Sequence, residues 1–322
     1  MRIMPVILQQ VSKSFGDVRA LNEVGFQVGD GELFGLIGPD GAGKSTLFRI
    51  IASLLIPDAG SCMVLGFDVV KQYREVRKLI GYMPGRFSLY MDLSVEENLN
   101  FYATVFGTTV RENHDLVREV YRHIEPFRKR PAGKLSGGMK QKLALSCALI
   151  HRPRILLLDE PTTGVDAVSR REFWEMLEKI RREGITILVS TPYMDEAELC
   201  DRVALMQKGG ILEVADPAEM STREEVPLFA LRSSSEVYPY LERIRKQEGC
   251  QSAWLFGDEL HVTLKSKEYE PLIREEIGRW KEPSLEWVAI APSIEDRFMR
   301  LIRQEQEPDS GHGAGIKYRT DR

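Results

Sequence analysis

The stretch GPDGAGKST at residues 38–46 limits this chain to few architectures. Before it, Glu32-Leu33-Phe34-Gly35-Leu36-Ile37 is apolar enough for a buried strand. After it, Leu47-Phe48-Arg49-Ile50-Ile51 is apolar at helical spacing. Strand, glycine loop, helix is the setting of a phosphate-binding loop. Gly38, Gly41 and Gly43 let the backbone turn tightly and approach an anion closely. With Asp40, Ala42 and Thr46 they line up successive N–H groups, Pro39 shapes the loop without an N–H of its own, and the helix N-terminus adds its positive dipole end. Lys44 is placed to reach the β- and γ-phosphates, and Ser45 to set its hydroxyl on Mg²⁺.

The 322 residues suggest two domains, and 43% hydrophobic residues supply an ample core. A net charge of −4 gives no electrostatic case for nucleic acid. Cys62, Cys147, Cys200 and Cys250 are widely spaced, so reduced thiols in a cytosolic protein are expected. The N-terminus lacks a signal-peptide layout, and Val6-Ile7-Leu8 reads as the first strand. No apolar run approaches the roughly 20 residues that span a bilayer. A membrane role therefore requires a partner.

Along the chain, residues 6–37 read as short strands with turns at Phe15-Gly16-Asp17 and Gly29-Asp30-Gly31. A helix over 44–55 ends at Pro57-Asp58-Ala59-Gly60. Val64-Leu65-Gly66 and Ile80-Gly81-Tyr82-Met83 look like strands, and Ser94-Val95-Glu96-Glu97 like a capping box in a mostly helical segment, 92–130. A strand at 155–158, a helix at 169–183 and a strand at 185–190 follow, which argues a mostly parallel sheet. The pattern changes near Pro217. Residues 228–232, 235–247, 251–256, 259–264, 269–280 and 285–290 then read βαββαβ, the split βαβ unit, followed by a helix at 293–303. The polar, glycine-containing stretch 304–322 is expected to be a disordered tail.

Two further motifs carry chemistry. Ile155-Leu156-Leu157-Leu158-Asp159-Glu160-Pro161 is an apolar strand ending in two carboxylates. Asp159 is placed to hold Mg²⁺ directly or through water, and Glu160 to act as general base on the attacking water. Leu135-Ser136-Gly137-Gly138-Met139-Lys140-Gln141 opens a helix that Ser136 can cap, with Gly137 and Gly138 exposing N–H groups to an anion.

The order of these motifs resembles the ABC ATPase family, the nucleotide-binding subunits of ABC transporters. LSGGMKQK is similar to the family signature, ILLLDEP to its Walker B strand and Gly164-Val165-Asp166 to its D-loop. Phe15 stands where the family has an adenine-stacking aromatic. The resemblance covers about residues 5–220. It implies ATP and Mg²⁺ as ligands, permease subunits as partners, and a cytoplasmic position on the inner face of the cell membrane. It also implies that each ATP lies between the Walker A loop of one subunit and the signature loop of another. Ser136, Gly137 and Gly138 would then serve the partner's ATP.

Two positions depart from the family. Gly81-Tyr82-Met83-Pro84 is followed by Gly85, where the family has a glutamine, and no glutamine occurs between Gln72 and Gln141. Ser190-Thr191 is followed by Pro192, where the family has a switch histidine, and no histidine occurs between His151 and His261. Proline offers neither a side-chain donor nor an N–H. Either Arg86 or a water replaces these contacts, or the enzyme is slower, or its own site is impaired.

Ala291-Pro292-Ser293-Ile294-Glu295-Asp296-Arg297-Phe298 resembles a segment near the end of exporter ATPase subunits. The wording of GPDGAGKST and STPYMDEAE is similar to the N-terminal half of bacterial tandem-ATPase efflux exporters. The expected fold is therefore α/β, a P-loop NTPase of the ABC ATPase type with a mixed sheet and a helical subdomain, then a small ferredoxin-like α+β domain. The expected limits are 1–222, with the helical subdomain at about 86–150, and 223–303 for the accessory domain. The expected function is an exporter subunit that binds MgATP and hydrolyses it weakly. It would pair with a complete ATPase as a heterodimer, with a homodimer also open. A soluble, non-transport ABC ATPase and an ATP-binding subunit without hydrolysis are the alternatives.

Overall fold

The computed structural model describes residues 4–86, 88–222, 227–280, 282 and 284–306. The chain divides into two compact units, Met1–Pro217 and Ala218–Arg322.

In the first unit β1 (Val6–Phe15), β2 (Val18–Val28) and β3 (Leu33–Ile37) lead into the glycine loop and α1 (Lys44–Ile51). There follow β4 (Ala59–Val64), β5 (Phe67–Asp68), α2 (Tyr73–Leu79) and β6 (Ile80–Met83). The helical part holds α3 (Val95–Val105), α4 (His114–Tyr121) and α5 (Gly137–Leu149). The chain returns through β7 (Ile155–Asp159), α6 (Ala167–Arg182), β8 (Thr186–Thr191), β9 (Arg202–Gln207) and β10 (Gly210–Ala215), and α7 (Pro217–Thr222) runs from the last residue of this unit into the second.

Six strands form one sheet in the order β10-β9-β3-β8-β7-β6. All its neighbours are parallel except β10 and β9. β3, β7 and β8 are buried at every residue, which is why their sequences run apolar without alternation. A second, antiparallel sheet has the order β2-β1-β4-β5. Phe34, Phe48, Ile50 and Leu157 join residues of both sheets in one core cluster.

Local chemistry fixes several boundaries. Ser94 and Glu97 form the reciprocal capping box at the start of α3. Asp166 caps α6 by accepting from the N–H groups of Val168 and Ser169. The expected strand at Val64-Leu65-Gly66 is corrected: β4 ends at Val64, and Leu65 (φ 49°) and Gly66 (φ 83°) make a left-handed turn.

The second unit contains β11 (Leu228–Arg232), α8 (Tyr238–Arg245), β12 (Cys250–Phe256), β13 (Glu259–Leu264), α9 (Glu270–Arg279), β14 (Glu286–Ala289) and α10 (Ile294–Gln306). Its strands pair antiparallel in the order β12-β13-β11-β14. Leu231, Leu260, Val262, Ile244 and Ile273 are among its core residues. The expected tail is corrected at its start, because residues 304–306 continue α10. Gln304, Glu305 and Gln306 are all good helix formers. Residues 307–322 of that tail lie outside the described residues.

Candidate nucleotide-binding site

The parallel strands deliver the chemistry-bearing residues to one edge of the sheet, the edge at their carboxyl ends. Register does this: Ile37 pairs with Thr191, Asp159 with Ser190 and Met83 with Leu158. The residues just past these strand ends therefore converge, as ligand sites in such sheets do.

The loop from Gly38 needs its glycines for measurable reasons. A Cβ on Gly38 would lie 2.1 Å from Met206 O. Gly43 has φ 107°, and a Cβ there would lie 2.5 Å from Ala20 O. Neither position accepts a side chain without moving the backbone.

Lys44 is 3% exposed and its ammonium group is satisfied three times. It donates to Gly38 O at 2.8 Å and Pro39 O at 3.0 Å, and lies 3.1 Å from Glu160 Oε1. Glu160 itself has φ 49°, a left-handed conformation that is strained for a side-chain-bearing residue. Its N–H is held by Ser190 O and Ser190 Oγ, both at 3.0 Å. Ser190 Oγ in turn donates to Asp159 Oδ1 at 2.7 Å. One serine thus fixes both carboxylate residues of the motif.

Ser45 Oγ donates to Asp159 Oδ1 at 3.0 Å. Two oxygens bound side by side to Mg²⁺ at about 2.1 Å are themselves about 3 Å apart. A hydroxyl and a carboxylate are hard donors, and Mg²⁺ commonly takes only one or two protein ligands beside phosphate and water. Ser45 and Asp159 therefore fit the metal. Among the described residues no group of three or more His, Cys, Asp or Glu side chains offers a separate metal site. Tyr82 lies near this carboxylate, and burial, then the charge of Asp159, pushes its phenol up to about 12.

A cavity of about 420 Å³ opens over the loop, lined in part by Gly41, Gly43, Lys44, Ser45, Thr46 and Glu160. Four lining residues had no sequence signal: Val18, Arg19 and Ala20 from the start of β2, and Lys208 from the β9–β10 turn. Phe15, at the end of β1, is half exposed and lies outside the lining, as do Pro39 and Asp40. Ala42 is buried, and its carbonyl accepts from Gly209 N at 2.9 Å.

Ser136, Gly137 and Gly138 do not join this cavity. Ser136 caps α5, accepting from Met139 N at 3.3 Å, and both it and Gly137 are exposed. A Cβ on Gly138 would lie 3.0 Å from Ser169 Oγ, so the glycine lets α5 approach the start of α6. Buried Gln141 donates from Nε2 to Pro161 O, tying α5 to the end of β7.

The two departing positions stand at the same sheet edge. A Cβ on Gly85 would lie 3.2 Å from Asp159 O. Pro192 follows Thr191, whose carbonyl accepts from Gly38 N at 3.3 Å. Tyr193, the next residue, donates its N–H to Thr191 Oγ1, and the Arg170 guanidinium lies 4.3 Å from its ring centroid. Tyr193 is thus engaged with α6 and does not line the cavity.

Comparison with known proteins agrees with this geometry. The ABC transporter family profile matches residues 21–163. A probable multidrug ABC transporter ATP-binding protein of Escherichia coli is 41% identical over 288 residues, covering 88% of this chain and 49% of that protein. The chain therefore spans about half the length of that relative. A Nod factor export ATP-binding protein I of a Rhizobium species is 34% identical over 311 residues, covering 93% of this chain and 97% of that protein. A solved ATP-binding subunit of an ABC transporter superposes with a TM-score of 0.62 at 27% identity, covering 68% of this chain and 92% of that one. An ATP-binding cassette solved as a dimer in a post-hydrolysis state with ADP and Pi gives 0.59 at 26%, covering 66% and 98%.

Proposed function

Since the chain belongs to the ATP-binding proteins of the ABC transporter family, we propose that it binds MgATP in this cavity, powers an exporter through separate permease subunits, and hydrolyses weakly at its own site. The assembled Lys44, Ser45, Asp159 and Glu160 support binding. Lys44 would leave the Glu160 carboxylate for the phosphates, which frees Glu160 to accept a proton from water. Mg²⁺, held by Ser45 and Asp159, would offset phosphate charge.

The single observation behind weak hydrolysis is that positions 85 and 192 border the site and offer it no side-chain donor. Gly85 has no side chain, and Pro192 has neither a side-chain donor nor an N–H. Losing one positioned donor commonly costs on the order of 10²–10³ in rate. The signature loop is intact, capped and exposed. A homodimer would hold two impaired sites. A heterodimer with a complete ATPase would hold one impaired site and one working site, completed by Ser136, Gly137 and Gly138 of this chain.

Among the described residues no helix is long and apolar enough to cross a membrane. A cavity of about 310 Å³, lined by Leu54, Tyr82, Met83, Pro84, Val105 and Phe106 among others, supports permease docking. Leu54 and Val105 are more than half exposed, which is unusual for large apolar side chains so close together. Met83 and Pro84 are followed directly by Gly85 at the site, so an occupant of this groove would press on the catalytic edge. The exporter assignment also rests on the similarity to proteins named for multidrug transport and Nod factor export. We assign the second unit to the ferredoxin-like class on its βαββαβ order and strand order, as an accessory domain.

The test is steady-state ATPase activity of the purified chain alone. Turnover should be weak and should change little on Glu160→Gln. Vigorous turnover that Glu160→Gln abolishes would refute the impaired site.

A further inference from the structure

The β9–β10 hairpin closes through two residues, Lys208 and Gly209, since Gln207 pairs with Gly210. Both have positive φ, 45° and 81°. Such a turn favours asparagine, aspartate or glycine at its first position, and a lysine there is disfavoured. A conformational outlier held in place by its surroundings is a reason to look for function.

The surroundings do hold it. Gly209 N donates to Ala42 O at 2.9 Å, and Gly209 O accepts from Asn22 N at 2.8 Å. A Cβ on Gly209 would lie 2.8 Å from Ala20 O. Met206 O packs against Gly38 closely enough to exclude a Cβ. The hairpin is thus a wall of the phosphate-binding loop, and Lys208 stands on it, exposed, lining the cavity.

Charge gives this placement a use. The Lys44 charge already faces Glu160 at 3.1 Å. Arg19 also lines the cavity, and its ion pair, with Glu23 at 3.9 Å, is long and exposed. Lys208 is a cation on the cavity wall that pairs with no carboxylate among the described residues.

We propose that Lys208 is a nucleotide-binding residue of this site, a cation directed at the polyphosphate of the bound nucleotide. It rests on the reading that this cavity holds MgATP. It makes up, for binding, part of what Gly85 and Pro192 fail to supply.

The test is titration of the full chain with MgATP, MgADP and adenosine at low and high salt. Lys208→Ala should weaken MgATP binding about threefold to tenfold at low salt, and Lys208→Glu more. The loss should shrink in high salt, because an exposed charge is screened. Adenosine binding should be unchanged, Lys208→Arg should bind as the wild type does, and Lys71→Ala serves as a distant exposed control. MgATP affinity of Lys208→Ala within twofold of the wild type at low salt would overturn the proposal while leaving the site assignment standing. Failure of the wild type itself to bind MgATP would overturn the underlying reading instead.

Discussion

Lys44 Nζ lies 3.1 Å from Glu160 Oε1, so the cation meant for phosphate and the carboxylate meant for water are paired with each other. The pair is largely shielded from solvent at the lysine end, where the side chain is 2% exposed. Each group keeps the other's charge compensated until a nucleotide enters.

Removing Lys44 should therefore damage more than one contact. Lys44→Ala takes the positive charge from the cavity, frees the Gly38 and Pro39 carbonyls, and leaves Glu160 uncompensated. MgATP affinity should fall by about 100-fold or more, equivalent to roughly 3 kcal/mol. A MgATP concentration just sufficient to saturate the wild type should then raise the melting temperature little or not at all. An affinity equal to the wild type would show that the cavity is not the nucleotide site.

Restoring the two missing donors should raise turnover. Gly85→Gln with Pro192→His should increase the rate on the order of 10²-fold or more, the glutamine acting toward Mg²⁺ and the attacking water and the histidine toward the γ-phosphate. The Cβ at position 85 would sit 3.2 Å from Asp159 O, so the strand end must yield by a few tenths of an ångström. Glu160→Gln added to the restored variant should abolish the gain. A restored variant as slow as the parent would place the block elsewhere.

With a complete ATPase as partner, the signature loop should matter more than this chain's own base. Ser136→Arg puts a bulky cation at the exposed N-terminus of α5 and should cut turnover of the complex by about 100-fold. Glu160→Gln in this chain should change it less than about twofold. The reverse ranking, measured on the purified complex, would assign the working site to this chain's own loop.

The second unit carries a pH-dependent contact. His261 Nδ1 lies 2.7 Å from Asp296 Oδ1 and Nε2 lies 2.8 Å from Glu259 Oε1. Burial disfavours the charged imidazole, but the hydrogen bonds and charges of Asp296 and Glu259 outweigh it and raise its pKa above 6.5. Arg232 faces Glu259, and its own neighbours include Glu286 and Asp258. Because the folded pKa is raised, the stabilisation is complete below about pH 6.5 and fades as pH rises through the folded value. Thermal unfolding of the full chain should show the transition that includes this unit moving down from pH 6 to pH 9. His261→Gln should flatten that dependence and cost about 1.5–3 kcal/mol at pH 6. An equal slope in the variant would remove His261 as the cause.

The sequence by itself determined the local grammar of this protein. GPDGAGKST between an apolar strand and an apolar-periodic helix permits one kind of loop, because only glycine tolerates its backbone at Gly38 and Gly43. The capping box of Ser94 and Glu97 was legible for the same reason, since its partners lie three residues apart. Asp159 and Glu160 were legible as carboxylates at a strand end. What no local pattern states is which strand ends meet. The pairing of β3 with β8 and of β8 with β7 decided that Ser190 would hold both Asp159 and the Glu160 backbone. Long-range packing likewise brought the β9–β10 turn against Ala42 and set Lys208 in the cavity. Hydrogen bonds between strands far apart in sequence carry no local signature, so those contacts belonged to the tertiary structure alone.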